Sequence, residues 1–261
     1  MQWLRVEHDE FVVTVTLDRP PVNAVDREVM SEIAEVFEGL RDDRRSRAVI
    51  FTAAGDRAFM GGADLRSVGK PSDADTPASV TVDPGAAARR AMWAILDCPL
   101  PVIVAVNGSA LGAGLAFAAV GDILLAAEGV EFGTPEIDVG LLGASAHLSM
   151  LVPRHKVREL YLTGERITAE ELERFGAIRK VVPREHLLDT ARELAANLTR
   201  KSPVALRLAK EALNRSEYLP LKEAYRLEQD YTNRLLGFED SQEARDAFLE
   251  KRHPRWTWDE V

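Results

Sequence analysis

Residues 101–128 read PVIVAVNGSALGAGLAFAAVGDILLAAE, and no other stretch limits the fold as much. Between Asn107 and Asp122 no side chain is charged until the aspartate is reached. The run Pro101–Gly108 has the β-branched character of a strand, and Asp122–Glu128 that of another. The apolar segment from about Gly112, Ala113 and Gly114 reads as a buried helix between them. Earlier in the chain, Phe11–Leu17 (FVVTVTL) and Arg47–Ala53 (RAVIFTA) also read as strands. They flank a helix in which Val29, Ile33, Phe37 and Leu40 recur at helical spacing behind a capping Asp26. Strands alternating with helices predict an α/β fold made of βαβ units.

The remaining segments differ. Residues 67–90 (SVGKPSDADTPASVTVDPGAAARR) have no lasting apolar period and predict a loop before the helix in AAARRAMWAILDC. That loop suits either a pocket wall or an ordinary surface excursion. After Pro153 the chain turns helical. Thr168 and Glu171 form a capping box ahead of a terminal Gly176, and Ser202 caps a helix with Pro203 in its first position.

At 261 residues the chain fits one large domain, or a domain of about 200 residues with an appendage. A net charge of −9 argues against a nucleic-acid partner, which would require clustered Lys and Arg. The single cysteine, Cys98, cannot form an internal disulfide. The charged N-terminus MQWLRVEHDE lacks the apolar run of a signal peptide, and no stretch reaches the ~18 apolar residues of a membrane span. A cytoplasmic location without a membrane partner is the expectation. His8, His147, His155, His186 and His253 are scattered, so no metal site is expected.

Three stretches suggest chemistry. In NGSALGAGLAF the small residues let a ligand approach the backbone, and a helix start offers unpaired N–H groups and partial positive charge. The same glycines also suit a core helix that merely packs tightly. In RAFMGGADL (Arg57–Leu65), a strand-like entry meets Gly61 and Gly62 and offers a second free N–H. Two such donors on one oxygen make an oxyanion hole, each worth about 2.7–4 kcal/mol to a transition state. In EFGTPEIDVGLLG, Glu136 lies among small and apolar neighbours, where a carboxyl becomes a proton carrier near neutrality. A solvated turn carboxylate fits that segment as well.

Taken in order, LDRPPVNAV, AFMGGADL, NGSALGAGLAFAAVGD, FGTPEIDVGLLG, LTGERITAEELERFGAIRKVV and AFLEKRHP resemble the crotonase superfamily, the enoyl-CoA hydratases and isomerases, over almost the whole chain. The resemblance implies an α/β, crotonase-like (ClpP/crotonase) spiral of repeated ββα units with a C-terminal helical assembly region. It divides the chain into a core at 1–195 holding an acyl-CoA site and a helical region at 196–261 used for assembly and for covering CoA. It implies an acyl-CoA thioester substrate, no separate cofactor, and a homotrimer or dimer of trimers. By position, the backbone N–H groups of Ala63 and Ala113 would hold the thioester oxygen, and Glu136 would move the proton. Gly62, Ala63, Asp64, Leu65 and Arg66 would line the thioester and pantetheine arm. Pro21, Val22 and Ala24 match the segment beside the CoA nucleotide, and Lys251 a basic residue that reaches CoA phosphates. Gly112, Ala113 and Ala116 would line the reacting end, and Leu141 and Ala144 the acyl group.

One position departs from the family. Hydratases carry a second glutamate where this chain has Ala116. Hydration ordinarily uses two carboxylates to hold and activate water. A single glutamate points to proton relocation, as in double-bond isomerases, or to lyase chemistry on a specialised acyl thioester. Asp138 is an alternative second carboxylate if it shares a strand face with Glu136, and His147 is another candidate. Two rival enzyme classes fit worse. Ser109 and Ser145 do not lie in the G-x-S-x-G elbow of a serine hydrolase. GAGLAF has Phe117 where a dinucleotide fingerprint ends in glycine. A binding protein that has lost catalysis remains the non-enzyme alternative.

Overall fold

The computed structural model describes residues 1–66, 83 and 85–257. Two sheets are built alternately as the chain advances. The larger has six strands in the order β1 (Leu4–Asp9), β2 (Val12–Leu17), β3 (Ala48–Ala53), β5 (Val102–Val106), β7 (Ile123–Ala127) and β10 (Lys180–Val182). Only β1 and β2 run antiparallel there. The smaller sheet has four, in the order β4 (Ala58–Met60), β6 (Ser109–Leu111), β8 (Glu131–Gly133) and β9 (Arg166–Thr168). Thus β3 and β4, then β5 and β6, then β7 and β8 each add one strand to either sheet before a helical segment closes the turn. That is the ββα spiral, and the six-residue β3 and five-residue β5 are buried at every position, as interior parallel strands must be.

The helices follow their local signals. α1 (Arg27–Gly39) starts where the Asp26 carboxylate accepts from the Val29 N–H, and it buries Val29, Ile33 and Phe37. Phe37, Phe51 and Phe59 stack edge to face at 5.6 and 5.3 Å, joining α1 to β3 and β4. α2 (Ala86–Leu96) packs on α1, and α3 (Ala113–Ala119) follows β6 directly. The expected loop at 67–90 falls largely outside the described residues, at 67–82 and 84. α4 (Ser145–Leu151) and α5 (Arg154–Thr163) come next, and α6 (Ala169–Arg174) has the predicted box, with Thr168 and Glu171 capping each other. The chain after Pro153 is not wholly helical: β9 and β10 return to the two sheets. At three residues each they are too short to carry a legible period.

α7 (Leu187–Thr199) lies across the larger sheet, and residue 195 falls within it. α8 (Pro203–Ser216), α9 (Leu221–Leu236) and α10 (Glu239–Leu249) complete the chain. Val204, Leu208, Ala212 and Tyr231 form a small apolar cluster apart from the main core. A buried ion pair ties this unit to the core. Lys210, 4% exposed, donates to Asp122 Oδ2 at 2.7 Å and to the carbonyls of Leu100 and Ile95. No helix among the described residues is long and apolar enough to cross a membrane.

Candidate active site

The smaller sheet brings the three chemical stretches together. Met60 of β4 is in register with Ala110 of β6, and beyond them the two chains continue side by side. A Cβ at Gly62 would stand 3.2 Å from the Leu111 carbonyl oxygen, and one at Gly114 would overlap the Met60 carbonyl. The absence of side chains at those two positions is what lets residues 60–63 lie against 111–114.

Ala63 sits in a bridge with Val25. The Val25 N–H donates to Gly62 O at 2.9 Å, and the Asp64 N–H to Val25 O at 2.8 Å. In a parallel bridge those bonds use the flanking residues, so the Ala63 N–H faces away from Val25. Ala63 itself is exposed. Ala113 is the first residue of α3, and its N–H has no intrahelical acceptor. Because α3 has only seven residues, local N–H groups outweigh any macrodipole here. Gly112 precedes it with φ 53° and ψ −115°, a conformation that a side chain would strain, and its N–H is held by Gly133 O at 2.8 Å.

Glu136 comes from the turn after β8. Thr134, Pro135 and Glu136 lead into a 3-10 turn, Pro135–Val139, which ends at Gly140 in the left-handed region. The Leu141 N–H donates back to Glu136 O at 2.9 Å and folds residues 140–143 over the acid. The carboxylate lies between two glycines. A Cβ at Gly112 would be 2.6 Å from Glu136 Oε1, and one at Gly143 would be 3.0 Å from it. Glu136 Oε2 is buried without a hydrogen-bond partner. Burial holds the carboxyl above the usual carboxylate range, because the charged form loses its hydration. A half-buried acid of raised proton affinity thus stands beside the entry to α3.

Asp138 does not share its face. The segment is a 3-10 turn rather than a strand, so residues two apart diverge by about a third of a turn. Asp138 is exposed and turned toward Gly164, where a Cβ would be 2.8 Å from its Oδ2. Ala116 is 1% exposed, one turn of helix beyond Ala113. Leu141 and Ala144 are both half-buried, and Ala144 has φ 59° as the cap of α4. Ser109 and Ser145 make no hydrogen bond to a histidine among the described residues, so neither has the activated geometry of a serine nucleophile.

The segment 19–26 lies along the other side of residues 58–64. The Gly61 N–H donates to Val22 O at 2.9 Å, and Asn23 donates from its amide to Ala54 O and Ala58 O. Pro21 is exposed and lines a small cleft of about 120 Å³ with Asn23, Gly55 and Arg57. The Arg19 guanidinium bonds to Asp26 and to Ala24 O, and it lies 3.8 Å from Asp64. Arg66 pairs with Asp64 at 3.0 Å, and Leu65 is 56% exposed beside it. Arg19, Asn23 and Gly143 escaped sequence reasoning. The left-handed φ of Asn23 and the pairing of 19 with 64 exist only once both segments are placed. Lys251 follows α10 on the surface, also with positive φ, and its ammonium has no ion-paired acceptor among the described residues.

The family profile described as enoyl-CoA hydratase/isomerase matches residues 7–259. A (7aS)-7a-methyl-1,5-dioxo-2,3,5,6,7,7a-hexahydro-1H-indene-carboxyl-CoA hydrolase from Rhodococcus jostii is 40% identical over 244 residues, 94% of this chain and 93% of its own. A carnitinyl-CoA dehydratase from Escherichia coli is 36% identical over 263 residues, 97% of each chain. Among solved structures, an enoyl-CoA hydratase from Mycobacterium smegmatis superposes with a TM-score of 0.89 at 30% identity, covering 97% of this chain and 98% of that one. One from Bacillus anthracis gives 0.88 at 29%, with the same coverage.

Proposed function

Because this chain belongs to the enoyl-CoA hydratase/isomerase family of the crotonase superfamily, we propose that it is an acyl-CoA enzyme working through a thioester enolate, with Glu136 as the carrier of the α-proton. The observation that supports this most is the Glu136 carboxyl held against Gly112, desolvated and with one oxygen unpartnered. In the proposed step its carboxylate takes the α-proton, and the electron pair moves onto the thioester oxygen. The N–H groups of Ala63 and Ala113 receive that oxygen, each donor worth about 2.7–4 kcal/mol. Segments 21–24 and 62–66 bind the CoA arm, with Lys251 at its phosphates, and three chains assemble through the C-terminal helices.

With Ala116 in place of a second carboxylate, the proposed net reaction belongs to the isomerase or lyase class and not to simple carboxylate-pair hydration. A second reading is favoured by the 40% identity to a CoA hydrolase: the same enolate would be the leaving group when water attacks a ring ketone of a dioxo acyl-CoA. The decisive measurement is exchange of the α-protons of a CoA thioester with deuterated water. Wild type should exchange them, and Glu136→Gln should lower the rate by at least about 100-fold. Exchange undiminished in that variant removes Glu136 from its role. A panel of enoyl-, hydroxyacyl- and dioxoacyl-CoA substrates followed by mass spectrometry then separates isomerase, lyase and hydrolase.

A further inference from the structure

Loss of the carboxylate at position 116 leaves the β-carbon side of an acyl group without a proton carrier. A half-buried imidazole, that of His147, stands on α4. Helical spacing puts Ala144, His147, Leu148 and Leu151 on one face of that helix. Leu148 and Leu151 are buried there, Ala144 packs on the core, and the helix contacts α3, which carries Ala113 and Ala116. The residue before this face, Gly143, is the one pressed against Glu136 Oε1. His147 is half-buried, and its Nδ1 is closed from solvent with no hydrogen-bond partner. An imidazole placed only to fill a core is ordinarily satisfied on both nitrogens.

We propose that His147 is the second proton carrier of this site, acting at the β-carbon while Glu136 acts at the α-carbon. The inference rests on the acyl-CoA reading given above. Burial alone lowers the proton affinity of His147, since no charged group contributes, and α3 brings no titratable residue to it. An acid pushed up and a base pushed down by their surroundings have the division of roles that acid–base pairs use. In the addition direction, neutral His147 accepts a proton from water as the water oxygen bonds to the β-carbon of an enoyl thioester. The C2=C3 electron pair moves onto the thioester oxygen, and protonated Glu136 gives its proton to the α-carbon. The imidazolium then returns its proton to the Glu136 carboxylate through solvent, so that one water has added. Elimination from a 3-hydroxyacyl thioester is the reverse sequence.

The test uses intact protein with isotope-labelled histidine and acetoacetyl-CoA, a thioester with oxygen on its β-carbon. The His147 imidazole signal, assigned by its loss in His147→Gln, should shift on saturation. In parallel, His147→Gln should lower hydration of crotonyl-CoA by about 100-fold or more, with the loss in kcat rather than in KM. A His147 signal unmoved by saturating acetoacetyl-CoA, or hydration equal in the variant, overturns the inference. If crotonyl-CoA is too short for the pocket, the imidazole shift decides. Failure of the protein to bind acetoacetyl-CoA, or exchange that survives Glu136→Gln, instead overturns the enolate reading beneath it.

Discussion

Glu136 and Gly112 are coupled by contact, and each predicts something about the other. Burial favours the protonated form of Glu136 in the folded chain. Protonation therefore stabilises the fold: the contribution is complete below the ordinary carboxylate value and is lost as pH rises through the elevated one. Glu136→Gln, neutral throughout, should unfold at nearly the wild-type temperature at pH 4 and at a higher temperature than wild type at pH 8, by thermal melts across that range. The α-exchange rate should show the same group from the other side, rising with pH as the carboxylate forms. Gly112→Ala adds a Cβ 2.6 Å from Glu136 Oε1 at a positive φ. A cost of about 1–3 kcal/mol is expected from backbone strain, with loss of exchange activity, measured by denaturant unfolding and by deuterium incorporation. The sequence singled out Glu136 and the helix start at Gly112 and Ala113 from their neighbours in the chain, and the resemblance implied the roles of Glu136 and Ala113 by position. It did not reveal Gly143, whose role lies wholly in what it permits its neighbour to do.

At the scale of elements, caps were readable and short strands were not. Asp26, Thr168 and Ser202 each begin a helix as their types predict, since a cap depends on residues three apart in the chain. Ser202 also donates to the buried Asp240 at 2.6 Å, and Asp240 in turn accepts from the Thr257 N–H. Ser202→Ala should therefore cost more than a lone cap, about 2 kcal/mol or more, and should loosen residue 257, as checked by hydrogen exchange at the C-terminus. By contrast, β4, β6, β8, β9 and β10 are three residues each. Their pairing is set by partners far along the chain, and no window of sequence holds both sides.

Across the whole molecule, the C-terminal helices are held by a contact that crosses the chain. Lys210 of α8 meets Asp122 at the start of β7, and Asp122 also accepts from the Val102 N–H at 2.6 Å. Lys210→Met leaves that carboxylate without its cation and removes one donor from each of the Leu100 and Ile95 carbonyls. Because Asp122 keeps partial solvent contact, the expected loss is toward the lower end of the range for a broken buried pair, on the order of 3 kcal/mol. Thermal unfolding should show it as a lower midpoint, with α8–α10 gaining protease sensitivity before the core. Leu213, Leu221 and Phe248 of this unit are 66%, 84% and 83% exposed, which is consistent with the proposed assembly through these helices.

Strands β2, β3, β5 and β7, the capped helix starts and the chemically suggestive stretches were legible in local sequence, because each depends on side chains within a few positions of one another. Resemblance over the full length added the spiral. Only the tertiary structure could set Gly112 and Gly143 on either side of one carboxyl, turn Asp138 away from it, and carry residues 60–63 alongside 111–114. Those arrangements come from close packing of segments distant in sequence, and proximity of that kind is not encoded by any one of them.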